Sequence, residues 1–354
     1  MTTEPQQRPT PFVIARQIQP GGVQSWQLQH PEWMVAAWGP LWLGLPIARA
    51  EQGLRRSTDG RAEGVFDGIL LNDEQVQQRW QARGHELTLG DHRQLAIEEL
   101  GAHGPRGLSD LRWHGAVAML HRAQGVALLA RDPLGVGWLG YQHDAQLELF
   151  TSDPRLACEA VPGGLAVRLD AKGWAAQAVR TAAEHAPYFR DLPSDLLSAD
   201  LETQQRELVA RLRGAVRACQ RGCGGLTTTG PYRHEISTSL LGAGDGGSGV
   251  ATALGLDSLS PAQWPEPTAG PRSGLWPKMD PPEPLGSADA VDRRARAWRA
   301  TTLADVELRQ ARAQALDRDQ WLLAPHLDPA VLAWLGALDR QRRAAVLSAV
   351  VHAT

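Results

Sequence analysis

Short apolar segments separated by turn residues dominate the middle of the chain. Between Gly115 and Trp174, alternation is visible in Val117–Leu120, Val126–Ala130 and Leu147–Phe150, with breaks at Gly125, Pro133-Leu134-Gly135, Asp144 and Asp153-Pro154. This is the pattern of consecutive antiparallel strands with a buried face. Upstream, Phe12–Arg16, Val23–Leu28 and Trp33–Trp38 read as strands broken by Pro20-Gly21-Gly22 and His30-Pro31, and Ala50–Glu63 reads as a polar loop. Gly64–Leu71 is a short apolar run around an Asp-Gly turn. Two helices follow it. One opens at Asp73, capped by Asn72 or Asp73, and runs to about Arg83; the other runs from His92 to about His103 under an Asp91 cap.

Beyond Ala175 the pattern fades. Residues 1–10 read as a disordered tail, 11–180 as a first domain, 181–199 as a linker and 200–354 as a second domain. Asp200 caps a helix to about Cys219, with Leu201, Leu208, Leu212 and Val216 on one stripe. Ile236–Leu241 is a candidate strand leading through a glycine-rich loop into a helix at Val250–Leu256. The 260–286 segment holds eight prolines and reads as a tethered loop, followed by helices.

Composition narrows the function classes. With 354 residues, 43% hydrophobic, 21% charged and a net charge of −3, the chain has no sequence-wide grip on nucleic acid or anionic membrane. No apolar stretch is long enough for a membrane span, and no secretory leader is visible, so a cytoplasmic location is expected. Three cysteines are too few for a disulfide framework, and Cys219 and Cys223 lack nearby histidine partners, so no metal site is expected. Cys158 reads as an inert core thiol. Thirteen tryptophans, four of them crowded at Trp26, Trp33, Trp38 and Trp42, read first as core anchors and otherwise as contact surface.

Several segments, in order, resemble the asparagine synthetase family. Phe66-Asp67-Gly68-Ile69-Leu70-Leu71-Asn72 resembles its F-N-G-E-I-Y-N, and Gly90-Asp91 its G-S-D-x-E turn. Gly115–Leu120 resembles G-x-F-A-F-A, and Ala130-Arg131-Asp132-Pro133-Leu134-Gly135 onward to Tyr141 resembles G-R-D-P-L-G-I-K-P-L-Y-Y. Phe150-Thr151-Ser152-Asp153 resembles F-A-S-E. The resemblance implies an α/β (α+β) chain: an N-terminal αββα sandwich like an N-terminal-nucleophile glutaminase, then a reduced, mostly helical synthetase-like domain.

The implied chemistry is incomplete. The family's glutaminase uses an N-terminal cysteine whose α-amine serves as base. Here Thr2 follows the initiator methionine, some ten residues ahead of the first strand. The glutamate that holds the glutamine α-amine is replaced by Ile69. Asp67, Gly68 and Asp91 remain as a vestigial glutamine pocket, and no catalytic residue is expected. The ATP-pyrophosphatase loop is matched best by Gly242, Gly244, Asp245, Gly246, Gly247 and Ser248, which lack most of its serines, while Trp321 and Leu323 replace charged positions before Pro325-His326-Leu327-Asp328. The expected function is a degenerate homologue without glutaminase activity, a binding or scaffolding subunit with no cofactor. Its partner would be a protein, such as an active paralogue, or a peptide substrate; a homo-oligomer is compatible. The alternative is an ATP-dependent amide-bond-forming ligase that uses no glutamine, with ATP and Mg²⁺ at the 242–248 loop.

Overall fold

In the computed structural model, two six-stranded antiparallel sheets face each other across a shared core. The structure describes residues 8–87, 90–156, 158–178, 195, 198–222, 276 and 308–317, with single positions between 321 and 346. The strands are β1 (Val13–Gln17), β2 (Trp33–Trp38), β3 (Leu41–Pro46), β4 (Leu54–Arg56), β5 (Ala62–Leu70), β6 (Trp113–His121), β7 (Val126–Arg131), β8 (Gly140–His143), β9 (Leu147–Thr151), β10 (Glu159–Ala160), β11 (Leu165–Asp170) and β12 (Gly173–Ala178). One sheet runs β10-β8-β9-β1-β3-β2 and the other β12-β11-β7-β6-β5-β4.

The second sheet is covered on both faces, and residue parity shows it. Ala116, Ala118 and Leu120 of β6 enter the core between the sheets, whereas Val117 and Met119 enter a second core beneath the helices. Leu129 and Leu128 of β7 divide in the same way, as do Val167 and Ala166 of β11. Where the alternation predicts one buried face, these strands are instead apolar at both parities, because a layer packs on each side. The outer layer is formed by α3 (Asp73–Ala82) and α4 (His92–His103), which contribute Val76, Trp80, Leu95, Ile97 and Leu100. On the far side, α1 (Gly22–Gln29) sets Val23 against Val13, Ala15 and Leu149. The layering is α/β/β/α, as expected.

Four expectations change. Val23–Leu28 is helical rather than a strand: Gly21, at φ +86°, turns the chain, and Val23 and Trp26, three apart, face one small core. The 50–63 segment is not merely a loop, because it includes α2 (Ala50–Gly53), β4 and the start of β5. Asp67-Gly68 is no turn; it lies inside β5, with Asp67 opposite Ala116 and Gly68 opposite Gly115. Finally, residues 8–10 belong to the folded body, since Thr10 is fully buried.

Two helices of the C-terminal half are described, α5 (Leu201–Gly222) and α6 (Leu308–Asp317). Asp200 caps α5 by accepting the Thr203 N–H at 2.7 Å. The buried face of α5 is Gln204, Leu208, Ala215, Ala218 and Cys219, displaced from the expected stripe because small residues let the helix approach β5 closely. The candidate strand at 236–241, the 242–248 loop, the helix at 250–256, nearly all of the proline-rich segment and most of the expected linker lie outside the described residues.

Candidate functional site

At the end of β5, the three expected pocket residues have three different roles. Asp91 is a helix cap: its Oδ1 accepts the Gln94 N–H at 3.1 Å, and its other oxygen lies 3.6 Å from Arg55 Nε. Gly68 is required by packing. A Cβ there would lie 2.5 Å from the His114 carbonyl oxygen and 2.7 Å from the Phe66 ring. Asp67 is the one with chemistry.

The Asp67 carboxylate has no solvent exposure and receives donors from three distant parts of the chain. Its Oδ1 accepts the Thr10 backbone N–H at 3.2 Å. Its Oδ2 accepts the Ser152 hydroxyl at 2.8 Å and Arg312 Nη2 at 2.5 Å. Ser152 follows β9, which pairs with β1, and its oxygen in turn accepts the Phe12 N–H at 2.9 Å. Thr10 is fixed from its other side by Arg93, whose Nη2 donates to Thr10 Oγ1 at 2.7 Å and to the Arg8 carbonyl. Burial pulls the Arg93 guanidinium down to about 10, with Asp67 opposing the shift, so it stays charged at neutral pH.

Arg312 comes from α6, 245 residues away in sequence, and is itself buried. Arg309, one turn earlier, lies over the Trp138 ring at 4.5 Å and donates to the Pro154 and Leu156 carbonyls. At the far end of α6, Asp317 lies 3.3 Å from Arg155.

The neighbouring position is covered as well. Ile69 forms a core with Leu71, Ala218, Cys219 and Trp321, so the end of α5 and Trp321 lie over it. Arg221, at the end of α5, grips Asp73 through two bonds of 2.7 and 2.8 Å. Asp328 is buried 3.5 Å from Arg112. The C-terminal half thus closes over the end of β5 with an ion pair at Asp67 and apolar contact at Ile69. An apolar residue at 69 is what such contact demands, since a carboxylate there would be buried against Cys219 and Trp321.

The Arg131-Asp132-Pro133-Leu134-Gly135 stretch is architectural. The buried Arg131 guanidinium donates to the carbonyls of Gly137 (2.7 Å), Val161 (2.9 Å) and Gly135 (2.7 Å). Asp132 accepts backbone N–H groups from Leu134, Val136, Gly137 and Gly115. The two side chains satisfy most of the turn's backbone and tie it to β6 and to the residues before β11.

A family model for the glutamine amidotransferase domain matches residues 45–157. Over these residues the chain is glutamine amidotransferase-like. The match spans β5, the Asp91 cap and the Arg131-Asp132 turn, and stops short of α5 and α6. No curated protein sequence matches the chain. Among solved structures, the chain is similar to the glutamine phosphoribosylpyrophosphate amidotransferase of B. subtilis complexed with ADP and GMP, at 13% identity over 52% of this chain and 53% of that one, with a TM-score of 0.38. It is similar too to a glutamine aminotransferase class-II domain protein from Silicibacter pomeroyi, at 12% identity over 48% of this chain and 92% of that one, with a TM-score of 0.30. The chain spans about half the length of the first of these.

The grouping around Asp67 contains residues that the sequence did not single out. Thr10 had been placed in the tail, and Arg93 and Arg312 had no local motif; Ser152 lay inside the F-A-S-E match. Their grouping depends on contacts between residues 83 to 245 positions apart, which no window along the chain reveals. The nucleotide-loop candidates at 242–248 lie outside the described residues. Among the described residues no group of histidines, cysteines and carboxylates is arranged to hold a metal, and no helix is long and apolar enough to cross a membrane. Burial pushes the Cys158 and Cys219 thiols up to about 12, which keeps both protonated and unreactive. Every described tryptophan is buried or half-buried, so the tryptophans described are core anchors and not exposed contact surface.

Proposed function

We propose that this chain is a degenerate relative of the asparagine-synthetase type, with an amidotransferase-type domain that does not hydrolyse glutamine and serves as a binding or scaffolding subunit. The Asp67–Arg312 ion pair carries this reading. A glutaminase pocket must admit a zwitterionic amino acid beside its nucleophile, and a buried carboxylate already paired with a guanidinium offers no such place. Three further features support it: Ile69 is an apolar contact residue, Thr10 is built into the fold, and neither Cys158 nor Cys219 is activated.

A buried nucleophile also lacks a base. Ser152 donates to Asp67, but Asp67 is shared with Arg312 and Thr10, and no histidine is bonded to either of them among the described residues. The domain's contribution is then its surface and its union with the C-terminal half. Titration calorimetry with glutamine should give no binding heat, while affinity capture from the source organism should retain a biosynthetic ligase or its peptide substrate in stoichiometric amount. Saturable glutamine binding would remove the proposal.

A further inference from the structure

Of the three groups that bond Asp67, two belong to the sandwich itself. The Thr10 N–H and the Ser152 hydroxyl are neutral donors held by Arg93 and by the Phe12 N–H, neither of which belongs to α6. The cation arrives separately. It is carried by a ten-residue helix, too short to be stable alone. Beyond Asp67, the described polar anchors of α6 are Arg309 on the Trp138 ring and the 154–156 carbonyls, and a surface ion pair from Asp317 to Arg155. The Asp317–Arg155 pair is exposed and weak, which leaves the half-buried Arg309 as the main one of these anchors.

Arg312 is also an imperfect occupant. One of its nitrogens reaches Asp67, while its Nε is buried and finds no acceptor among the described residues. From its place on α6 Arg312 meets the carboxylate with one nitrogen, not with two parallel N–H groups; a guanidinium free of that helix can present both. We propose that the Asp67 slot is a guanidinium-binding site. Arg312 is its internal occupant, and an arginine-bearing ligand takes its place when α6 withdraws. This deepens the reading of the site as closed to glutamine and rests on it. Glutamine hydrolysis by the wild type would remove that reading and leave the guanidinium measurement standing, so the two fail separately.

The test uses the whole chain with Arg312→Ala, which leaves Asp67 buried without its ion-pair partner. Thermal melts are recorded with methylguanidinium, methylammonium, L-arginine and citrulline at equal ionic strength. Methylguanidinium and L-arginine should raise the melting temperature saturably by about 3 °C, methylammonium by less than half as much, and citrulline not at all. The rise should be absent in wild type and in Arg312→Ala with Asp67→Asn. If Arg312→Ala does not fold unaided, refolding yield with and without methylguanidinium reads the same event, and Arg312→Gln repeats it with the stem retained. Equal effects of the two small cations, a rise that survives Asp67→Asn, or no recovery in either variant would overturn the site. Rescue by methylguanidinium with L-arginine inert would overturn the arginine-bearing ligand.

Discussion

His92 Nε2 lies 3.1 Å from Asp73 Oδ2, and both side chains are fully buried. The other ring nitrogen, Nδ1, accepts the Leu70 backbone N–H at 2.9 Å. Since Nδ1 must keep its lone pair for that bond, the ring proton belongs on Nε2 and is donated to Asp73. Arg221 closes the other side of the carboxylate. Asp73 therefore bolts the start of α3 to the start of α4 and to the end of α5, next to the strand that carries Asp67.

This bolt is acid-sensitive, and its sign follows from the shift. Burial pushes the Asp73 carboxyl up, but Arg221 and His92 outweigh it and hold the group well below the usual carboxylate range. A depressed folded value means the stabilisation is complete above the unfolded value, about 3.9, and is lost as pH falls through the folded value. Asp73→Asn should cost about 3 kcal/mol at pH 7 and flatten the loss of stability below about pH 4. Urea melts of both proteins between pH 7 and pH 2 measure this; parallel curves would show that Asp73 contributes nothing pH-dependent.

Arg131 should resist conservative replacement. Its fork meets three carbonyls at 2.7 to 2.9 Å, a geometry that an ammonium on a flexible stem does not reproduce. Arg131→Lys should destabilise the chain by about 2–4 kcal/mol, leaving buried carbonyls short of donors. Guanidinium chloride denaturation checks it, and a midpoint within error of wild type would mean that Lys finds the same acceptors.

Two glycines should respond in opposite directions. Gly137 lies against the Gly115 backbone, and an added methyl would run into it. Gly137→Ala should cost about 1–3 kcal/mol or prevent folding. Gly214, inside α5, has nothing within 4 Å of an added Cβ. Gly214→Ala should stabilise by about 0.5–1 kcal/mol through helix propensity. Thermal melts of the pair separate close packing from backbone freedom.

What was legible in the sequence was what local pattern controls. The strands between Gly115 and Trp174 were readable from short apolar segments between turn residues, though the alternation suggested one buried face where the second sheet buries both. The Asp91 and Asp200 caps were readable from their positions before amphipathic runs. The Arg131-Asp132 turn was conspicuous because its side chains satisfy their own nearby backbone. Asp67-Gly68 misled because the same dipeptide that favours a turn also suits a strand where a carboxylate must be buried and a backbone must approach closely. Arg312 and Arg221 were invisible: each meets its carboxylate across 245 or 148 residues, and an arginine in a polar helix looks like any solvated face.

The central claim is that the amidotransferase-type domain has lost glutamine hydrolysis because Asp67 is sealed by Arg312. The direct measurement is glutamate released from millimolar glutamine by the purified chain, followed by coupled oxidation. The account predicts release indistinguishable from that of heat-denatured protein, unchanged by Thr2→Ala. Release that saturates with glutamine and disappears in Asp67→Asn would contradict it.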